Sequence, residues 1–174
     1  MEIIETDRLR LREIDSSLDA EFILELLNTP SFLKYIGDRG VRNAEDAREF
    51  IESRYRKSYR DHGYGLYAVV LKAEGAAIGM CGFVRRDTLP GPDIGFAFLP
   101  EYERKGYGFE SAAAMMQYGF EVQGFDEVFA ITTLDNESSG RLLEKIGFSF
   151  NKLIDTPDGE TLKLFSSRNI GKVA

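Results

Sequence analysis

From Arg8 the chain alternates charged and aliphatic residues, Arg8-Leu9-Arg10-Leu11-Arg12-Glu13-Ile14, a period of two that predicts a strand with one wet face. The period then lengthens. Leu18, Phe22, Ile23, Leu26 and Leu27 fall on one side of a helix that Ser16 or Ser17 can cap and Asn28-Thr29-Pro30 ends. Phe32, Leu33, Tyr35 and Ile36 predict a short helical turn, and Asn43 caps a helix of roughly fifteen residues through Ala47, Phe50, Ile51 and Tyr55. Strand patterning returns in Tyr64 to Leu71 and Ala77 to Val84, joined by Lys72-Ala73-Glu74-Gly75 as an antiparallel hairpin. Ile94, Phe96 and Phe98 interleave with Gly95, Ala97 and Leu99, which reads as a strand buried on both faces and stopped by Pro100.

Behind that strand, Ala112, Met115, Met116 and Phe120 recur at helical spacing. Glu127 to Thr133 reads as a strand, and Glu137 to Ile146 as a helix closed by Gly147. Phe148-Ser149-Phe150 begins a last hairpin that turns at Thr156-Pro157-Asp158-Gly159 and returns through Leu162, Leu164 and Phe165. Only residues 93–133 look like a strand-helix-strand unit with parallel strands, so the pattern predicts one α+β domain over residues 1–174.

Composition narrows the chemistry. A chain of 174 residues buries roughly two-thirds of its unfolded surface and requires neither a metal nor a disulfide to hold it. The single cysteine, Cys81, lies in an apolar run, and the single histidine, His62, lies in a polar stretch; that scarcity argues against a cysteine or serine nucleophile and against a metal cluster. The first residues lack the pattern of a signal peptide and no stretch is apolar enough to cross a bilayer, so a soluble cytoplasmic protein without a membrane partner is expected. A formal net charge of −7 opposes nucleic-acid binding and favours a cationic or amine substrate at long range, so any anionic cofactor must be held locally.

The place to hold it is Leu99-Pro100-Glu101-Tyr102-Glu103-Arg104-Lys105-Gly106-Tyr107-Gly108-Phe109-Glu110, where a strand meets a helix through two glycines and two cations. Backbone amides from about Arg104 to Phe109 can form an anion-binding concavity, with the positive end of the helix behind them. The triphosphate-binding Gly-x-x-x-x-Gly-Lys-Ser/Thr is absent from the sequence, and Gly106-x-Gly108 lacks the third glycine of a dinucleotide fingerprint. A different pyrophosphate cofactor is required.

The stretch Glu103-Arg104-Lys105-Gly106-Tyr107-Gly108 resembles the acetyl-coenzyme-A motif of the GCN5-related N-acetyltransferases, Gln/Arg-x-x-Gly-x-Gly/Ala, with both glycines matching and Glu103 departing. Thr6-Asp7-Arg8-Leu9-Arg10-Leu11-Arg12, Asn28-Thr29-Pro30 through Tyr35-Ile36-Gly37, and Asn136-Glu137-Ser138-Ser139 with Leu143-Glu144-Lys145-Ile146-Gly147-Phe148 are similar to signatures of the branch that acetylates ribosomal-protein amino termini. The resemblance implies a central, mixed and mostly antiparallel sheet of about six to seven strands flanked by helices, with a core at about residues 7–168. It implies acetyl-coenzyme A as cosubstrate, no metal, and a chain that is a monomer or a homodimer.

The resemblance also distributes roles. Arg104, Lys105, Gly106, Tyr107, Gly108 and Phe109 would hold the pyrophosphate, with Glu103 turned to solvent. The backbone amides of Phe96 and Phe98 would meet the thioester and pantetheine arm. Asp93 would be the general base, with Asp158 and Glu160 as alternatives; a loop cap is the competing reading of Asp93. Ser139 would be the general acid, because the tyrosine found in many relatives is Leu143 here, and Asn136 would hold the pantetheine amide or the substrate. Helix capping is the competing reading of both. Phe32, Tyr35, Tyr64 and Tyr67 are candidate acceptor-pocket residues, with core packing as their alternative, and Arg85-Arg86-Asp87 reads as a solvated loop. The expected activity is acetyl transfer to a primary amine, with a protein amino terminus as one acceptor. A polyamine, aminoglycoside or amino acid as acceptor, and a non-catalytic coenzyme-A sensor, are the competing readings.

Overall fold

Leu9 and Leu11, the apolar half of the first alternation, are fully buried while Arg10 between them is exposed. They belong to strand β2 (Leu9–Glu13) of an eight-stranded sheet in a computed structural model that describes residues 1–172. The other strands are β1 (Glu2–Glu5), β3 (Leu66–Leu71), β4 (Ala76–Val84), β5 (Asp93–Phe98), β6 (Glu127–Thr133), β7 (Ser149–Asp155) and β8 (Thr161–Arg168). Their spatial order is β1-β2-β3-β4-β5-β6-β8-β7, antiparallel throughout except between β5 and β6. The fold is the expected mixed α+β arrangement.

The sheet gains β1, a strand the hydrophobic pattern does not announce, because Glu2–Glu5 is a short edge segment with acidic ends. The Lys72 ammonium fastens it, reaching the Glu5 carboxylate at 2.7 Å and the Thr6 carbonyl. Helix α1 (Ala20–Leu27) starts later than a Ser16 or Ser17 cap would place it. Asp15 instead accepts the amides of Ser17 and Leu18 at 2.8 and 3.0 Å, which holds Leu18 in a turn, 76% exposed and off the apolar face. Helix α2 (Pro30–Tyr35) is capped by Thr29.

Asn43 caps α3 (Ala44–Phe50), its side-chain oxygen accepting the Asp46 amide at 2.8 Å. The helix then widens into a π-helical segment, Ile51–Arg56, and resumes as α4 (Lys57–His62). Helices α5 (Tyr107–Glu121) and α6 (Glu137–Lys145) complete the set.

Two apolar layers sandwich the sheet. On one face Ala112, Met115 and Met116 of α5 pack with Leu9, Cys81, Phe83 and Ile94; on the other, Ile23, Leu26 and Ile51 pack with Ala68, Met80 and Leu99.

One junction in the sheet is incomplete. Strands β5 and β6 pair at Asp93↔Phe129, where the Phe129 amide donates to the Pro92 carbonyl at 2.9 Å, and they diverge beyond that pair. On its other edge β6 pairs along its whole length with β8. The expectation that residues 94–99 are buried on both faces is therefore corrected: Ile94 and Leu99 are buried, but Phe96, Ala97 and Phe98 are half-buried beside the gap.

Candidate active site

The gap between β5 and β6 opens into a cleft of about 1910 Å³. Its β5 wall is an unpaired strand edge. The Leu99 amide donates to the Ile78 carbonyl on β4 at 2.9 Å, so strand alternation turns the amides of Gly95 and Ala97 toward β4 and those of Phe96 and Phe98 toward the gap. On the facing strand the Phe129 amide already points at β5, which gives Ile131 and Thr133 the same direction. Both edges offer hydrogen-bonding groups to whatever lies between them. The Phe96 and Phe98 rings meanwhile pack against the α5 layer.

At the carboxyl end of β5 the chain turns through Glu103 to Gly106 into α5. Arg104 takes φ 60° and Gly106 takes φ 86°, both left-handed, and no side chain caps the helix. The first-turn amides of Tyr107, Gly108 and Phe109 lack intrahelical partners and lie at the positive end of the helix. Arg104, Gly106, Gly108 and Phe109 line the cleft. Lys105 and Tyr107 do not: the Lys105 carbonyl accepts Arg8 Nη1 at 3.1 Å, and the Arg8 guanidinium lies 4.4 Å from the centre of the Tyr107 ring. Glu103 is exposed at the rim.

At the opposite end of β5 sits Asp93, only 1% exposed, with its carboxylate oxygens 3.1 and 3.2 Å from Arg86 Nε. Burial pushes its pKa up to about 6, against the charge and hydrogen bond of Arg86, which pull it down. Arg86 is therefore tied to a buried carboxylate while still part-exposed, whereas Arg85 and Asp87 beside it are exposed, as a solvated loop requires. Its role as the partner of Asp93 is invisible in a run that reads as a polar turn.

The third wall comes from α6. Asn136 Oδ1 accepts the Ser139 amide at 3.2 Å and so caps this helix, and both residues line the cleft. Nearby, Thr132 Oγ1 is buried with no hydrogen-bond partner among the described residues. A buried hydroxyl left unpaired is uncommon, and nothing in the sequence around Thr132-Thr133 marks it.

Asp158 and Glu160 reach the rim from the β7–β8 hairpin, with Asp158 bonded to the Thr156 hydroxyl. Of the four proposed acceptor-pocket aromatics, Phe32 and Tyr35 line the cleft, whereas Tyr64 and Tyr67 are buried in the α5-side core, and Tyr67 stacks on Tyr59. Burial pushes the Cys81 thiol up to about 12, far from a nucleophile's range. Among the described residues no group of three or more His, Cys, Asp or Glu side chains is placed to hold a metal, and no helix is long and apolar enough to cross a membrane.

These walls suit an extended ligand with an anionic end: unpaired strand edges flanking the gap, and free helix amides where the anion would rest. Acetyl-coenzyme A has that form. Residues 8–149 match the family model described as an acetyltransferase (GNAT) domain. The chain is 31% identical over 147 residues to the uncharacterized N-acetyltransferase YoaA of Bacillus subtilis, a match that covers 84% of this chain and 82% of that one. An acetyltransferase of the GNAT family from Bacillus anthracis superposes with a TM-score of 0.79 at 26% identity, covering 97% of this chain and 99% of its own. A ribosomal-protein-S5-alanine acetyltransferase from Vibrio fischeri shares the fold over the full length of both chains, with a TM-score of 0.82 at 20% identity.

Proposed function

The chain belongs to the GNAT acetyltransferase family and is an N-acetyltransferase, and we propose that it transfers the acetyl group of acetyl-coenzyme A to a primary amine by direct attack within the cleft between β5 and β6. The observation that carries this reading is the divergence of those strands after Asp93↔Phe129, which leaves the Phe96 and Phe98 amides unpaired between an anion-binding turn and a buried carboxylate. When bound, the cosubstrate supplies an acetyl group already activated as a thioester.

The chain's own residues bind, orient and move protons. The amides of Tyr107, Gly108 and Phe109, with the turn at Arg104 and Gly106, hold the pyrophosphate, and the Lys105 side chain adds charge from outside the cleft. The Phe96 and Phe98 amides hydrogen-bond the amide-bearing arm and polarise the carbonyl, an oxyanion-type contribution that is commonly the largest in acyl transfer. The Asn136 side chain supplies a further polar contact to the arm. Asp93, with a pKa of about 6, is mostly ionised at neutral pH and still basic enough to take the amine's proton. Ser139 Oγ would pass a proton to the departing sulfur and be reprotonated from solvent, while Asp93 releases the amine's proton to solvent, so that both side chains return to their starting states.

A protein amino terminus is the acceptor this reading favours over a free polyamine, because the cleft is open and bordered by a polar hairpin rim. The Vibrio fischeri protein, named for acetylating a ribosomal-protein alanine, has the same fold. The proposed setting is the cytoplasm. The test is release of free thiol when the protein, acetyl-coenzyme A and a panel of amines and peptides are combined, with products identified by mass. Thiol release with a mass gain of one acetyl group on an amine supports transfer. Cofactor binding without thiol release would turn the protein into a coenzyme-A sensor.

A further inference from the structure

Arg86 is one of three arginines that three separate segments bring to the amino-terminal end of β5. Arg39 comes from the turn between α2 and α3, Arg54 from the π-helical segment and Arg86 from the loop between β4 and β5, and all three line the cleft alongside Asp93. Arg39 stands close enough to the other two for their charges to act on it: partial desolvation first, then the field of Arg86 and, less, that of Arg54, lowers its pKa, with Tyr55 pulling the other way, while Arg39 and Arg54 themselves remain exposed at the mouth of the cleft. Like charges brought together on a folded surface are unfavourable unless something neutralises them. Asp93 does so for Arg86 alone.

Arg39 and Arg54 have no carboxylate within ion-pair distance among the described residues, and Arg54 instead lies over the Phe50 ring at 5.6 Å. By contrast Arg12, Arg42, Arg48 and Arg56 each meet an acidic side chain. Arg60, Arg85 and Arg104 likewise stand outside the ion pairs among the described residues, and Arg85 also lines the cleft; what sets Arg39 and Arg54 apart is that their charges meet beside Arg86, so in a protein of net charge −7 this end of the cleft carries a local excess of positive charge. A π-helical turn at Arg54 is itself a feature concentrated at functional sites.

These cations do not belong to the pyrophosphate turn. The six residues of β5 separate them from it, about 17 Å along the strand. Strand alternation also puts Asp93 on the same sheet face as Ala97, the face covered by α1, α2 and α3 rather than by α5. The arginines therefore border the Asp93 end of the cleft, where the proposed base would meet the acceptor.

We infer that Arg39, Arg54 and Arg86 recognise an acidic group on the acceptor, so that the preferred substrate is an amine carrying a carboxylate or phosphate near its nitrogen, such as an acidic amino terminus, and not a polyamine. This rests on the acetyl-transfer reading above. Guanidinium forks suit both oxyacids through paired hydrogen bonds. The overall negative field opposes such a substrate at a distance, and the local cluster reverses that preference at short range.

The experiment compares acetyl-coenzyme-A consumption, read as free thiol and confirmed by product mass, for four acceptors: a peptide beginning with acidic residues, its amidated neutral counterpart, a phosphate-bearing primary amine and spermidine. The expected result is a kcat/KM about tenfold higher for at least one acidic acceptor than for the neutral peptide, falling as salt rises. Arg39→Ala and Arg54→Ala are each expected to shrink that acidic-to-neutral ratio about tenfold through KM, with Arg39→Lys restoring part of it. An unchanged acetyl-coenzyme-A dissociation constant shows that a variant is folded, and either variant alone suffices. If thiol appears but spermidine or the neutral peptide is preferred, or if the ratio survives both substitutions, the charge selection is overturned and acetyl transfer stands. If no acceptor releases thiol while the cofactor still binds, both readings fall.

Discussion

Arg8 and Glu110, 102 residues apart, are clasped twice: the Arg8 amide donates to one carboxylate oxygen of Glu110 at 2.9 Å and Arg8 Nε donates to the other at 2.7 Å. The Thr6 hydroxyl adds a third hydrogen bond at 2.6 Å. Because Arg8 also holds the Lys105 carbonyl and covers Tyr107, the clasp fixes the turn that leads into α5. Glu110→Gln is expected to raise the acetyl-coenzyme-A dissociation constant about threefold to tenfold, and to cost on the order of 1 kcal/mol of stability, a modest figure because Arg8 is nearly half exposed. Calorimetric titration and denaturant unfolding check both. Burial opposes the Glu110 charge, but the hydrogen bonds from Thr6 and Arg8 and the charge of Arg8 outweigh it and hold the carboxyl below its usual range. Its stabilising effect is present at neutral pH and is lost as pH falls through that lowered value.

Gly106 is expected to tolerate no side chain. Its φ of 86° is left-handed, and a Cβ there would stand 3.2 Å from Arg8 Nη2. Gly106→Val should lose about 1–2 kcal/mol from the backbone alone and weaken the cofactor at least about tenfold by displacing the turn. An unchanged coenzyme-A titration would refute the assignment of this turn to the pyrophosphate.

Ser139→Ala separates chemistry from binding. The cap on α6 uses the Ser139 amide and the Asn136 side chain, so removing the hydroxyl leaves the cap intact. Turnover should fall about tenfold or more with the cofactor dissociation constant unchanged. Asn136→Ala, in contrast, should cost about 1 kcal/mol of stability through the lost cap. Full turnover in Ser139→Ala would end the acid role.

Asp93 makes two pH dependences measurable. As the proposed base it should give kcat/KM an acidic limb centred near pH 6, and Asp93→Asn should abolish both the limb and most of the activity. For stability, a carboxyl whose folded pKa lies above its unfolded value contributes most below the unfolded value, and the contribution is lost as pH rises through about 6. Thermal unfolding between pH 4 and 7 should therefore decline more steeply in the native protein than in Asp93→Asn, by about 2–3 kcal/mol over the range. Parallel curves would show that Asp93 is not held as its burial implies.

Local rules made much of this fold readable. Alternation at residues 9–13, the Asn43 cap, the Lys72–Gly75 turn and the glycines at 106 and 108 each act over a few residues, and each appears where the sequence puts it. What stayed hidden depends on segments far apart. The parting of β5 from β6 after a single residue pair concerns two strands that α5 separates in sequence, and no pattern within 93–133 encodes it. Arg86 reads as solvated until Asp93 is folded against it, and Arg39 and Arg54 acquire meaning only when two turns and a helix converge. Tyr64 and Tyr67 carry the same strand spacing whether they face a pocket or a core, and packing against α5 and Tyr59 decides for the core.

The slot in the sheet has an unbroken backing. Val128, Ala130, Leu143 and Phe165 from the β6 to β8 side share one apolar core with Cys81, Phe83, Ile94 and Met115 from the β5 side, and close-packed interiors transmit strain instead of yielding to it. The margins of the slot are thus braced from behind, and the strand-edge groups on either side are in place before a substrate arm arrives, which lowers the ordering cost of binding it.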